Sequence, residues 1–434
     1  MLQLDSDKTM FLPGQTTHGH HQIEMACGSC HTEAFADAEV IQDACVNCHG
    51  DSLKAAKDDH PRSKFTDPRN ADRLAILDAR YCATCHIEHR PEITAGMGVT
   101  VPEDVCFLCH QDIAEDRPSH SEMAFNTCTA AGCHNFHDNR ALYEDFLVKH
   151  MDAPAFINGK MLESNLLSIA EQLPEYPLEN FPIKSLSMSD MVAANQSTHS
   201  STVEQDWLAS SHAAAGVNCL ACHSSAESEW FDKPDHNQCQ TCHQGEVKGF
   251  LQGKHGMRLD VERLNQALPP MHVSLARLPM KASAADAELS CNSCHGAHTF
   301  DSQAAATTAC LGCHNDEHSL AYESSSHAEL WRKELAGELP VGSGVSCATC
   351  HMPRTEVDYF WGTFTHNEVN HNQSETLKPN EKMIRPVCLE CHGLGFAIDA
   401  LADETLIKTN FGGPPTIHVE SIDLARSRLK EQEK

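Results

Sequence analysis

All 22 cysteines of this 434-residue chain fall in one kind of unit, a cysteine pair with a histidine directly after the second cysteine. Ten units have two intervening residues: Cys27-Cys30-His31, Cys45-Cys48-His49, Cys82-Cys85-His86, Cys106-Cys109-His110, Cys219-Cys222-His223, Cys239-Cys242-His243, Cys291-Cys294-His295, Cys310-Cys313-His314, Cys347-Cys350-His351 and Cys388-Cys391-His392. The eleventh is stretched, Cys128-Thr-Ala-Ala-Gly-Cys133-His134, and must bulge to keep its thiols in reach of one another. On a helical turn, positions i and i+3 share a face and i+4 lies beside them. Two thiols so placed can add to the two vinyl groups of one porphyrin, and the histidine then meets the iron from the same side. The pattern reads as covalent attachment of haem c, eleven per chain. Structural zinc sites and thioredoxin-like pairs share the cysteine spacing. Neither demands a histidine after the second cysteine eleven times out of eleven.

The remaining histidines supply the other axial ligands. Of 30 histidines, 11 belong to the motifs and 19 do not, so supply exceeds the need of eleven irons. His89, His137 and His298 each follow a motif histidine by three residues, too close to reach the far face of the haem that motif holds. Each is placed to ligate an adjacent iron. His212 and His255 precede attachment motifs in helical or glycine-flanked settings, and His60, His120, His327, His371 and His418 complete the expected metal ligands. His18, His20 and His21 form one cluster expected to supply a single ligand. His199, His236, His272, His318 and His366 are expected at the surface or supporting other groups. Bis-histidine ligation implies low reduction potentials.

Eleven haems leave roughly 39 residues for each, too little polypeptide to wrap every one in its own apolar core. The porphyrins must themselves be the core. The expected fold class is therefore mainly α with low regular secondary structure, a multihaem cytochrome c with a haem stack as core. The motifs fall in a block of five and a block of six, separated by 84 residues without cysteine. Pro174, Pro177 and Pro182 and a Ser/Thr/Asn-rich stretch mark that gap. The expected domains are a five-haem domain at 1–150, a linker or wrapping segment at 151–205, and a six-haem domain at 206–434. Within blocks, first cysteines separated by 18, 20 or 19 residues (27 to 45, 219 to 239, 291 to 310) would hold consecutive haems in contact.

Haem is attached outside the cytoplasm, so a periplasmic or extracellular location is expected, reached with a leader absent from this polar start. No apolar run approaches the ~18 residues of a membrane span. With 61 acidic and 32 basic residues the net charge is −29, which argues against nucleic acid as a partner. Expected partners are other redox proteins or cytochromes, with a homo-oligomer or filament also open.

Gly344-Val-Ser-Cys347-Ala-Thr-Cys350-His351-Met352-Pro353-Arg354, Gly253-Lys-His255-Gly-Met-Arg258 and Cys291-Asn-Ser-Cys294-His295-Gly-Ala-His298 make the second block resemble the octahaem hydroxylamine oxidoreductase and pentahaem nitrite reductase superfamily. That resemblance implies haems stacked in parallel and perpendicular pairs, with one catalytic haem keeping an open iron position. No attachment motif ends in lysine, the mark of the nitrite reductase active haem. The last tyrosine, Tyr359, precedes Cys388, whereas hydroxylamine oxidation in that family relies on a tyrosine beyond the last haem. The first block resembles class III-like multihaem electron-transfer domains. Three functions stay open: an electron conduit, read ahead of the others; a filament protomer; and a reductase of nitrogen or sulfur oxyanions. No catalytic residue is assigned.

Overall fold

The computed structural model describes residues 8–432, apart from 34–36, 59, 118–119, 122, 126–127, 129–134, 139–143, 163–183, 192–199, 225–228, 360–363 and 378–379. Cys133 and His134 of the stretched motif, and much of the expected linker, lie outside the described residues. The fold is mainly α with little regular structure, as expected. Each of the ten short motifs starts in a helical turn. Several turns are fixed by a cap one or four residues before the first cysteine. Ser346 with Thr349, Ser290 with Ser293 and Asp235 with Gln238 form capping boxes, which satisfy amide groups at a helix start that would otherwise lack partners.

Longer helices occur where motifs lie inside or between them. Ala38–Ala55 carries the second motif in its middle and is capped by Asp37, which accepts from the Glu39 and Val40 amides. Among the described residues no helix is long and apolar enough to cross a membrane. The one sheet described is an antiparallel hairpin, Arg354–Tyr359 with Phe364–Val369, in a register pairing Arg354 with Val369. It leads from the tenth motif to His371.

Among the described residues, one cluster of buried apolar side chains forms a core of the ordinary kind, around the last motif. Leu147, Ile384, Leu394, Ala397, Ile398 and Ile422 bury together, with Cys388 packed against them. All but Ile384, which follows the turn Asn380–Met383, come from the helices Glu144–His150, Leu394–Ala402 and Ser421–Gln432. The chain after the first block then runs along the last motif, the Ile157 amide donating to the Cys391 carbonyl at 2.8 Å. Gly393 lies so close to the Pro154 carbonyl that a Cβ would sit 2.2 Å from its oxygen.

The two blocks also touch through residues 16–48 and 254–277. Arg258 donates to the Gln22 carbonyl (2.6 Å), Arg277 to the Thr16 carbonyl (3.1 Å), and Ser29 to the Leu264 carbonyl (2.7 Å).

Candidate haem-iron sites

Nine motif histidines each face a histidine from outside the motifs. Ring centroids lie 5.7 Å apart in His49–His20, 5.9 Å in His110–His60, 6.3 Å in His86–His137, 5.9 Å in His223–His298 and 6.0 Å in His243–His212. They are 6.2 Å apart in His295–His371, 6.3 Å in His314–His255, 6.0 Å in His351–His318 and 6.3 Å in His392–His327. An imidazole nitrogen sits about 2 Å from a bound divalent metal, so two rings on opposite sides of one ion have centroids about 6 Å apart. In none of these nine does one motif histidine meet another.

Hydrogen bonds on the far side of the rings fix their tautomers. The Nδ1–H groups of His60, His86, His223, His318, His371 and His392 donate to the carbonyls of Phe136, Gly98, Phe231, Ile407, Val369 and Ala155, at 2.5 to 3.2 Å. His20 Nδ1 donates to the Glu88 carboxylate at 2.7 Å, while its Nε2 lies 3.5 Å from His49 Nε2. An Nδ1–H tied back in this way leaves Nε2 as the bare, ligating nitrogen. Burial, reinforced by the facing imidazole or other nearby histidines, pushes His49, His255, His327 and His351 down to about 4. The neutral form that results is the one that binds iron.

Aromatic side chains complete the surroundings. Trp230 stacks on His223 with centroids 4.6 Å apart, Phe136 on His60 at 4.2 Å and Phe396 on His392 at 4.8 Å. Phe107, Phe136 and Phe156 stay exposed next to attachment motifs, an apolar surface that a porphyrin face would cover. Donor set, spacing and apolar lining all fit bis-histidine haem. The ten short motifs and their histidines would hold the groups, which supply one-electron redox chemistry when bound.

The thiols show how the sites follow one another. The thiols of Cys45 and Cys82, of Cys106 and Cys128, of Cys239 and Cys291, and of Cys310 and Cys347 lie close enough to shift one another's ionisation. Cys30 lies within electrostatic reach of Cys48, Cys222 of Cys239, Cys294 of Cys310, and Cys350 of Cys388. Sulfurs that touch would each carry a porphyrin edge, so the edges would meet. The Phe136-His137 pair bridges the third and fourth sites, since the Phe136 carbonyl accepts from His60 and His137 faces His86.

Seven of the ten expected distal histidines therefore face a motif histidine: His60, His137, His212, His255, His298, His327 and His371. His418 instead lies between two carboxylates, Asp399 at 3.1 Å and Asp423 at 2.9 Å, which hold its pKa above the ordinary value. His89 donates from Nδ1 to the Gly14 carbonyl at 2.8 Å, as a ligand would. No second imidazole lies against it among the described residues. His120 is half-buried, and His134 lies outside the described residues. Spacing did not single out two of the paired histidines. His20 is the member of the 18–21 cluster that meets a motif histidine, and His318, expected at the surface, faces His351. Its signal was its place four residues after His314, as the second residue of the short helix Glu317–Ala321 capped by Asp316.

Residues 19–111 and 283–360 match the cytochrome c3 family, and no curated protein matches the chain. Both matched stretches hold a motif triplet of nearly equal spacing. From Cys27 to Cys45 is 18 residues and on to Cys82 is 37, while from Cys291 to Cys310 is 19 and on to Cys347 is 37. The matches and the cysteine motifs together support a multihaem c-type cytochrome carrying covalent haem c.

Proposed function

We propose that this multihaem c-type cytochrome is an electron-transfer conduit outside the cytoplasm, with eleven haems of which most or all are bis-histidine ligated. The observation that carries this reading is the set of nine motif histidines, each facing one non-motif histidine at the separation of two rings on one ion. A closed iron has no position for substrate, so it exchanges electrons and little else. The residues' part is to keep each centre six-coordinate. Carbonyls and Glu88 orient the rings, and burial favours the neutral form at His49, His255, His327 and His351. The negative surface suits partners with basic patches, or other cytochromes docked haem to haem.

The test is spectroscopic. Ferric protein should show low-spin iron throughout, and reduced protein should bind little carbon monoxide. Strong high-spin signals with nitrite or hydroxylamine turnover would favour instead the oxyanion chemistry that the superfamily resemblance implies. One observation favours a second reading. His31 is exposed, and no second imidazole lies against it among the described residues. A filament protomer would fill that position with a histidine from another copy, and long unbranched polymers would be its mark.

A further inference from the structure

We propose that electrons pass between the two blocks at the contact of residues 16–24 with 254–277, so that the first block joins the second in its middle. The proposal rests on the bis-histidine reading of the paired sites. Order along the chain suggests another route, from the fifth motif to the sixth across the 84 residues between them. The contacts point elsewhere.

Gln22, buried, donates from its side-chain amide to the carbonyl of Lys254 at 2.5 Å. That carbonyl belongs to the peptide bond leading into His255, which faces His314. Gln22 itself stands two residues after His20, which faces His49. Lys254 Nζ lies 2.7 Å from His18 Nδ1. Arg258 and Arg277 hold the same two segments together through the carbonyls of Gln22 and Thr16, and Arg277 also pairs with Glu24 at 3.1 Å. Behind them Arg263 donates at 3.4 Å to the Cys48 carbonyl, which belongs to the peptide bond leading into His49. The second and ninth sites hold the same place in their two triplets, each at the middle motif. Their distal-histidine segments are thus packed against one another.

The consequence is a branched network. In the second block successive thiols run from Cys222 through Cys291 to Cys388, with the His255–His314 site partway along. In the first block they run from Cys30 to Cys82, and the Phe136–His137 bridge leads on to Cys106 and Cys128. Joined at the second and ninth sites, the network has four ends, at the Cys27, Cys128, Cys219 and Cys388 motifs. Each crossing moves one electron, so one centre is oxidised as the other is reduced. Gln22, Arg258 and Arg277 act as positioning residues.

His298→Met supplies a sink in the second block, because methionine ligation raises the potential of that iron. Electrons delivered in less than one equivalent by pulse radiolysis should collect there, read at the methionine-ligated iron's own absorption. Two altered holoproteins are compared with this parent: one cut by protease between residues 151 and 205, and one carrying Gln22→Ala, Arg258→Ala and Arg277→Ala. The cut protein should fill the sink as fast as the parent. The triple variant should lose the share arriving quickly from the first block while every other iron stays low-spin. If the triple variant does not accumulate, Gln22→Leu keeps the volume, removes the bond to the 254 carbonyl, and should slow the same phase. Slow filling after the cut, or an unchanged triple variant, would overturn the route while leaving the ligand pairs intact. High-spin iron at these two sites in the unaltered protein would instead overturn the pairing, and the route with it.

Discussion

Changing a distal histidine to alanine removes one of two imidazoles from a site and leaves the attachment cysteines untouched. His20→Ala and His318→Ala should therefore each create one high-spin ferric signal, and so should His137→Ala and His298→Ala. His418→Ala should create none, because both its nitrogens face carboxylates. Electron paramagnetic resonance of the purified variants reads this directly. His418 also carries a pH dependence. Asp423 and Asp399 raise its pKa in the folded state above the ordinary 6.5. The stabilisation from these pairs is then full below about 6.5 and fades as the pH rises through the raised value. Melting temperatures of the native protein and His418→Asn should differ at pH 6 and converge in alkali.

Elements here are built around attachment points, and among the described residues one group of helices has an apolar core of its own. Leu394 is fully buried among Leu147, Ile384, Ile398 and Ile422. Its truncation leaves a cavity lined by side chains from several elements, and substitutions of this kind cost about 2–5 kcal/mol. Leu394→Ala should loosen the Glu144–His150, Leu394–Ala402 and Ser421–Gln432 helices together. Amide exchange should rise in all three, and the His327–His392 site beside them should become the first to lose its low-spin signal on heating. The motif turns elsewhere should hold, since thioether bonds fix them independently of this core.

At the scale of the whole chain, the two blocks are joined by the polypeptide, by the Glu144–His150 helix packed into the core around the last motif, and by the contact of residues 16–48 with 254–277. Proteolysis should cut first in the proline-rich gap between 151 and 205. The five-haem and six-haem fragments should then elute together in size-exclusion chromatography and separate only in denaturant. Fragments that part in native buffer would show that the hydrogen bonds of Arg258, Arg263 and Arg277 do not hold the blocks together.

The attachment chemistry was legible in the residues alone, because Cys-x-x-Cys-His is a local arrangement whose reacting atoms lie within one helical turn. The fold class followed from the same count, since so many porphyrins leave no room for a polypeptide core. Histidine pairings at short range were legible where a spacing of three residues set a histidine against another motif's histidine, as His137 faces His86 and His298 faces His223. The rest was decided by tertiary contact. His20 meets His49 because Glu88, 68 residues along the chain, turns its ring. His371 meets His295 because a hairpin and a close approach to Gly249 deliver it there. His318 is aimed at His351 by the Ile407 carbonyl. A second axial ligand needs only an imidazole at one point in space, and any segment of the chain can bring it there. Which segment does so, and where one block touches the other, depends on packing between residues far apart in sequence, and spacing carries no record of that.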